Sequence, residues 1–343
     1  MNVVAKFMND DVITMAHGSG GQAGHELMEQ ILLPAFDNPI LREMHDGAKV
    51  NIATNRLAFT TDSYVVKPLF FAGGNIGKLA ICGTVNDLAM TGAIPKYISV
   101  GMIIEEGFPF KDLQEIVQTM RKAADEAGVY IVTGDTKVVN KGCADGIFIN
   151  TAGVGELMDG IDISPLRAKV GQNIIVSGYL GDHSATIMAS RHNLELPATV
   201  KTDCAPLNHM VKEMLSVVPN IAVLRDPTRG GVAAVLNEIA SQAQVGVLLD
   251  EEAIPVREEV RGFCDILGFD PLYLANEGKL VAFVDEEDTE KVLSIMREFE
   301  YGKNARVIGK TLDKAIGEVG LRTVIGGIRI VDMPQGEQIP RIC

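Results

Sequence analysis

Along this chain the apolar residues switch back and forth between a helical and an extended period, and that alternation leaves few architectures open. Leu27, Met28, Ile31 and Leu32 follow the 3.6-residue period. So do Leu113, Ile116, Val117 and Met120, with Asp112 as N-cap and Gly128 as stop. Further helices are expected over 207–215, 232–243 and 292–299. Between them lie β-type runs: LAFTTD ending at Asp62, YISVGMII from Tyr97, VYIVTG from Val129 and IFINTAGVGE from Ile147. NIIVSG from Asn173, KLVAFVD from Lys279 and ARVIGK from Ala305 continue the series, and TVI and IRIV flank Gly326 and Gly327 as a hairpin. Strands and helices interleaved in this way imply an α/β (α+β) chain. With 343 residues it has room for two domains of roughly 100–200 residues each. The stretch 158–173, rich in glycine, proline and charge, is the expected boundary, dividing 1–160 from 161–333. Residues 334–343 carry two prolines and no period, and read as a flexible tail.

Composition excludes several classes of function. No run of about 18 apolar residues exists, and even 75–91 is broken by Lys78, Asn86 and Asp87, so no membrane span is expected. The first residues, MNVVAKFMNDD, lack the apolar segment of a signal peptide, which points to the cytoplasm. Acidic side chains outnumber basic ones 45 to 31, for a formal charge of −14, so a nucleic-acid partner is not expected.

The motifs that carry chemistry sit at element ends. HGSGGQAG places His17, Gly18, Ser19, Gly20 and Gly21 before a helix, where free backbone N–H groups can cradle an anion; a flexible turn fits the glycines equally well. Ala23 in the third glycine position excludes a dinucleotide fingerprint, and AGGNIGKL lacks the first glycine and the last Ser/Thr of a phosphate-binding loop. Asp46, Asp62, Asp135 and Asp226 follow or close strands and loops, while Asp87 sits inside an apolar helix beside Asn86. Carboxylates spread in this manner suit a magnesium ion shared with phosphate oxygens. Turn or cap roles are the alternative, above all for Asp226 and Thr228 ahead of a helix near Arg229. A carboxylate within an apolar helix, as at Asp87, requires a hydrogen bond or a cation. TGDTK sets Asp135 and Lys137 after a strand, and NEGK sets Glu277 before one; each alone reads as an exposed turn. None of the six histidines has ligand spacing, and most are expected to be structural or exposed.

Five cysteines occur without any paired spacing; Cys82, Cys143, Cys204 and Cys264 read as small core residues. Cys343 ends the sequence, and the eight steps from Gln335 span roughly 25–30 Å when extended, enough to carry a thiol into a cleft or to a second protein. The carboxylate beside it disfavours the thiolate, so such a thiol suits carrying an acyl group better than attacking unaided.

Taken in order, HGSGG, TTDSYVV, GNIGKLAICGTVNDLAMTGA, TGDTKVV, RDPTRGG, NEGK and the closing PRIC resemble, end to end, the HypE family of hydrogenase maturation factors. The NDLAM-type and strand-end Asp motifs are shared with aminoimidazole ribonucleotide synthetase, selenophosphate synthetase and thiamine monophosphate kinase; PRIC is specific to HypE. The resemblance implies a two-domain fold and a homodimer, with N-terminal strands of two subunits closing a barrel and ATP held between domains. It implies that the carbamoyltransferase HypF loads a carbamoyl group on Cys343, which is dehydrated with ATP to a thiocyanate. The cyanide then passes to iron on the HypC–HypD complex. In that scheme Mg2+ is held among Asp46, Asp62, Asp87, Asp135 and Asp226, and the glycine loop, Asn86, Thr228 and Arg229 attend the nucleotide. Glu277 is the general base and Lys137 orients or relays. A small-molecule kinase or synthetase of the same superfamily would share the ATP site but not need Cys343. A non-catalytic docking protein would need the tail alone.

Overall fold

The structure, a computed structural model, describes residues 12–18, 21–43, 47–335, 339 and 341–343. Ser19, Gly20 and Asp46 lie outside the described residues. The first half opens with α1 (Gly21–Leu27), which runs through a π-helical stretch into α2 (Leu33–Phe36). It continues with β1 (Leu57–Tyr64), the short pair β2 (Phe70–Phe71) and β3 (Gly74–Asn75), α3 (Ile76–Met90), β4 (Ala93–Glu105), α4 (Phe110–Ala127), β5 (Tyr130–Val139) and β6 (Ile147–Leu157). The four long strands form one sheet in the order β1-β6-β4-β5, antiparallel except for β4 against β5. α3 starts cleanly because the Asn75 side chain accepts the N–H groups of Gly77 and Lys78, at 2.9 and 3.2 Å. It is buried along nearly its whole length beneath the sheet. α4 ends on Gly128 in the left-handed conformation, as its position in the sequence suggests.

The second half contains β7 (Asn173–Val176), α5 (Asp182–His192), α6 (Asn208–Val217), β8 (Val223–Arg225), α7 (Gly231–Ala243), β9 (Gly246–Asp250), α8 (Glu258–Leu267), β10 (Val281–Val284), α9 (Thr289–Glu298), β11 (Arg306–Leu312), β12 (Val319–Arg322) and β13 (Ile328–Ile330). Its strands form a seven-stranded sheet in the order β13-β12-β9-β11-β7-β10-β8. The architecture is the mixed, two-sheet α/β arrangement that the periodicity implies.

Four local expectations change. The final hairpin exists, but its first strand is 319–322; Thr323 to Gly327 form the turn. TGDTK does not follow a strand but lies within β5, at the sheet edge, so Asp135 and Lys137 alternate with inward-facing neighbours. α7 begins two residues later than expected, at Gly231, behind a left-handed Gly230 with no side-chain cap. Asp226 and Thr228 are therefore not its caps. Cys143 is exposed rather than buried, whereas Cys82, Cys204 and Cys264 do lie in the interior.

Gly231 cannot be exchanged cheaply. Its φ is +61°, and a Cβ there would sit 2.5 Å from the Leu272 carbonyl oxygen and 2.6 Å from that of Leu274. We therefore expect Gly231→Ala to cost more than about 1 kcal/mol, read as a lower urea midpoint at unchanged slope. An unchanged midpoint would show that the crossing of α7 over 272–274 is looser than drawn.

Candidate active site

Alternation along β1 aims Thr60, Asp62 and Tyr64 at the inner side of the first sheet, towards α3. Asp87 projects from α3 to meet them and accepts the Thr60 hydroxyl proton at 2.8 Å, the partner its apolar helix demands. The Tyr64 hydroxyl donates to Asp62 Oδ2 at 3.2 Å. From the second half, the uncapped segment after β8 contributes Asp226, Thr228 and Arg229, and Glu277 arrives on the loop before β10. These residues line one cleft of about 450 Å³ between the two halves.

The cleft is electrostatically incomplete. Burial raises the Asp87 carboxyl above its usual range, with Asp62 adding to the effect. Burial and the charge of Asp87 push Asp226 up to about 7. Glu277 is buried, its pKa is driven well above the ordinary value by desolvation and then by surrounding acids, and its Oε1 has no hydrogen-bond partner. Carboxylates that raise one another's pKa in a desolvated wall are relieved by a cation, and an all-oxygen donor set suits a hard one. No three of them converge into a ready-made ligand set among the described residues. On the positive side, Arg229 lies 3.9 Å from Asp62, and the charges of Cys343 and Asp62 raise its pKa.

Cys343 also lines this cleft. The described end of the tail is seated: Ile339 and Ile342 are buried in an apolar cluster that draws on both halves, and Cys343 packs against it. Val65 N–H donates to the main-chain oxygen of Cys343 at 3.0 Å, and Lys67 N–H to that of Arg341 at 3.2 Å. Arg341 in turn donates Nε–H to Val65 O at 2.9 Å and pairs with Asp145. An arm expected to be flexible thus ends, over 341–343, as a short strap docked along 65–67.

The remaining expected residues divide. Thr228 and Arg229 join the cleft. Asn86 does not face it as a ligand: buried, it donates to Ala205 O at 3.0 Å and Glu277 O at 3.4 Å and accepts from Leu207 N–H at 2.8 Å. Its amide is occupied by joining α3 to the second half. Asp135 and Lys137 lie on the opposite edge of the sheet and on its outer face, in register with Gly101 and Ile103. His17 and Gly18 accompany them: the His17 ring stacks edge-on to Phe110 at 5.1 Å, and a Cβ on Gly18 would lie 2.4 Å from the Val138 nitrogen. One chain therefore does not bring His17, Gly18, Asp135 and Lys137 to Asp62, Asp87, Asp226 and Glu277. Tyr64 and Thr60 were not anticipated, although the two-residue period of LAFTTDSY puts both on the face of Asp62.

Residues 44–157 match the family described as AIR synthase related protein, N-terminal domain, and 169–322 match its C-terminal domain. The chain is 48% identical to a carbamoyl dehydratase HypE of Rhodobacter capsulatus over 98% of its own length and 99% of the relative's. A crystal structure of the hydrogenase maturation protein HypE in complex with ATP superposes with a TM-score of 0.93 at 48% identity, covering 96% of this chain and 99% of that one. A HypE chain from a HypE–HypF complex gives 0.79 at 48%, covering 90% and 99%.

The raised Asp226 pKa fixes a sign. Its carboxyl ionises near pH 3.8 when unfolded and near 7 when folded, so the stability it contributes is full below about pH 4 and is lost as pH rises through 7. In chelator and without nucleotide, Asp226→Asn should be more stable than the parent at pH 8, and the advantage should shrink towards pH 4. A pH-independent difference in urea midpoint would contradict this placement of Asp226.

Proposed function

The chain belongs to the HypE carbamoyl dehydratase family, and from that premise we propose that it uses ATP to dehydrate an S-carbamoyl group on Cys343 to a thiocyanate. The product supplies cyanide for the iron of a nickel–iron hydrogenase during maturation. The observation that carries this reading is the seating of Cys343 in the same cleft as Asp62, Asp87, Asp226, Arg229 and the unpaired Glu277 carboxyl. A kinase or synthetase acting on a diffusible small molecule has no use for that arrangement, and the close relatives are dehydratases.

The chemistry balances as carbamoyl-S-Cys343 plus ATP giving thiocyanate, ADP and phosphate. The amide oxygen is a poor leaving group; on taking the γ-phosphoryl group it departs as phosphate, and both N–H protons must be lost. Glu277 is suited to accept one: its free oxygen is buried beside the cleft, and desolvation, which drives its pKa well above the ordinary value, makes its carboxylate a stronger base. Arg229 offers the positive charge that draws phosphate to the tail. Asp62, Asp87 and Asp226, with Asp46 and Asp135 as further candidates, would hold Mg2+, which when bound neutralises the phosphates. Closure of the cleft around the strap keeps water from the activated carbon.

We assign His17, Gly18, Asp135 and Lys137 to the site of a second copy. The outer face of the first sheet carries one continuous apolar row, Phe59, Val154, Tyr97 and Tyr130, with Phe59 71% exposed. Its edge strands β1 and β5 are unpaired among the described residues. Joining β1 of one copy to β5 of the other would close an eight-stranded barrel and bring the β5 edge that carries Lys137 alongside β1, and from there Lys137 would orient the amide or relay its second proton. This homodimer would receive carbamoyl groups from HypF and deliver cyanide to the HypC–HypD complex in the cytoplasm, the compartment that supplies ATP. No described helix is long and apolar enough to cross a membrane.

Incubation with HypF, carbamoyl phosphate and ATP, followed by intact mass, should show a carbamoyl adduct on Cys343 converting to a cyano adduct. Glu277→Gln should load normally and convert at least about 100-fold more slowly; conversion at the parent rate would remove Glu277 from the role of base. Phe59→Asp should elute as a monomer in light scattering and lose conversion; a monomer of full activity would refute the shared site.

A further inference from the structure

We propose that His183 is a positioning residue for this reaction: its Nε2–H holds the Ile342 carbonyl and anchors the peptide that carries the thiol, and the Thr202 hydroxyl, donating to Nδ1, holds the ring in place for it. The inference rests on the dehydratase reading above and concerns a histidine with no ligand or catalytic spacing.

His183 lies in the first turn of α5, fully buried, with its ring edge-on to Phe71 at 5.7 Å. Burial lowers its pKa, against the opposing pull of Asp203, so the ring is neutral and carries one proton. The position of that proton follows from the neighbours. Thr202 Oγ1 accepts Cys204 N–H at 3.1 Å and, as a hydroxyl, can also donate to His183 Nδ1, 2.7 Å away. The Ile342 carbonyl oxygen can only accept, and it lies 2.8 Å from Nε2, so the ring proton sits on Nε2 and is donated to it. The other tautomer would oppose two lone pairs across the same gap.

Anchorage of the peptide next to the thiol is what this contact adds. Val65 and Lys67 hold the main-chain oxygens of Cys343 and Arg341, and His183 holds the one between them from the other half of the protein. Ile342 immediately precedes Cys343, so His183 fixes the peptide that carries the thiol, leaving only side-chain torsions to place the carbamoyl carbon. A reacting group displaced by about 1 Å loses on the order of 100-fold in rate.

The test uses the full chain with its carbamoyltransferase partner, carbamoyl phosphate and ATP. Conversion is read by intact mass, and tail docking by the alkylation rate of Cys343 in its peptide. Thr202→Val keeps the shape and removes the hydroxyl; His183→Phe keeps the packing and removes the donor; His183→Gln restores an N–H. Thr202→Val and His183→Phe should retain loading and ATP affinity, expose Cys343 to alkylation several-fold faster, and slow conversion roughly 10–100-fold. His183→Gln should regain most of both. Parent rates of alkylation and conversion in Thr202→Val, or no recovery in His183→Gln over His183→Phe, would overturn the proposal. If the parent protein itself never forms a cyano adduct, the dehydratase reading falls, while the alkylation series still decides what His183 does.

Discussion

One buried carboxylate, Asp203, holds the parts of this site in relation to each other. Its two oxygens accept the N–H groups of Glu277 and Gly278 at 3.1 and 3.2 Å, and Oδ2 lies 3.1 Å from Lys279 Nζ. Burial alone would raise its pKa; the Lys279 charge, with the Glu277 N–H, outweighs that and keeps it ionised. A buried ion pair contributes little net stability against a well-packed apolar substitute, but removing one partner leaves an uncompensated charge. Its value here is positional. Asp203 adjoins Thr202, which orients His183, and it grips the backbone of Glu277; the support of the strap and the candidate base thus share one anchor.

The seating of the strap is energetically close to balance. Burying Ile339 and Ile342 yields a gross gain of roughly 3–6 kcal/mol, and a handful of hydrogen bonds from Val65, Lys67, His183 and Arg191 add about 1 kcal/mol each. Ordering residues 339 and 341–343 costs about 1–2 kcal/mol apiece. A carrier arm needs that balance, since it must leave the cleft to be loaded and return to be converted. Inside, the raised pKa values of Asp87, Asp226 and Glu277 express a crowded, desolvated acidic wall.

Local period made the long elements legible, because α4, α7 and β6 each bury one well-marked face. What it could not separate was a turn from a strand end: polar TGDTK is strand because β4 pairs with it in parallel register, a non-local fact. Helix caps failed for a similar reason at Asp226 and Thr228, where crossing over 272–274 requires glycine and releases both side chains to the cleft. Asp62 and Cys343 stood out as residues, yet that they share a cleft depends on 65–67 pairing with the chain's end. Glu277 and Lys137 carried no more local signal than a turn, and only the family resemblance singled them out. His183 had none, since its partners come from residues 19 positions and 159 positions away.

The central claim is that the carbon carried by Cys343 reaches the acidic wall where the phosphates of ATP are neutralised. It is tested most directly by loading Cys343 with a 13C-carbamoyl group and adding a non-hydrolysable ATP analogue with Mn2+ in place of Mg2+. Paramagnetic relaxation of the carbamoyl carbon then reports its distance from the metal. The account predicts strong broadening that Asp87→Asn weakens. A 13C line as sharp with Mn2+ as with Mg2+ would contradict it.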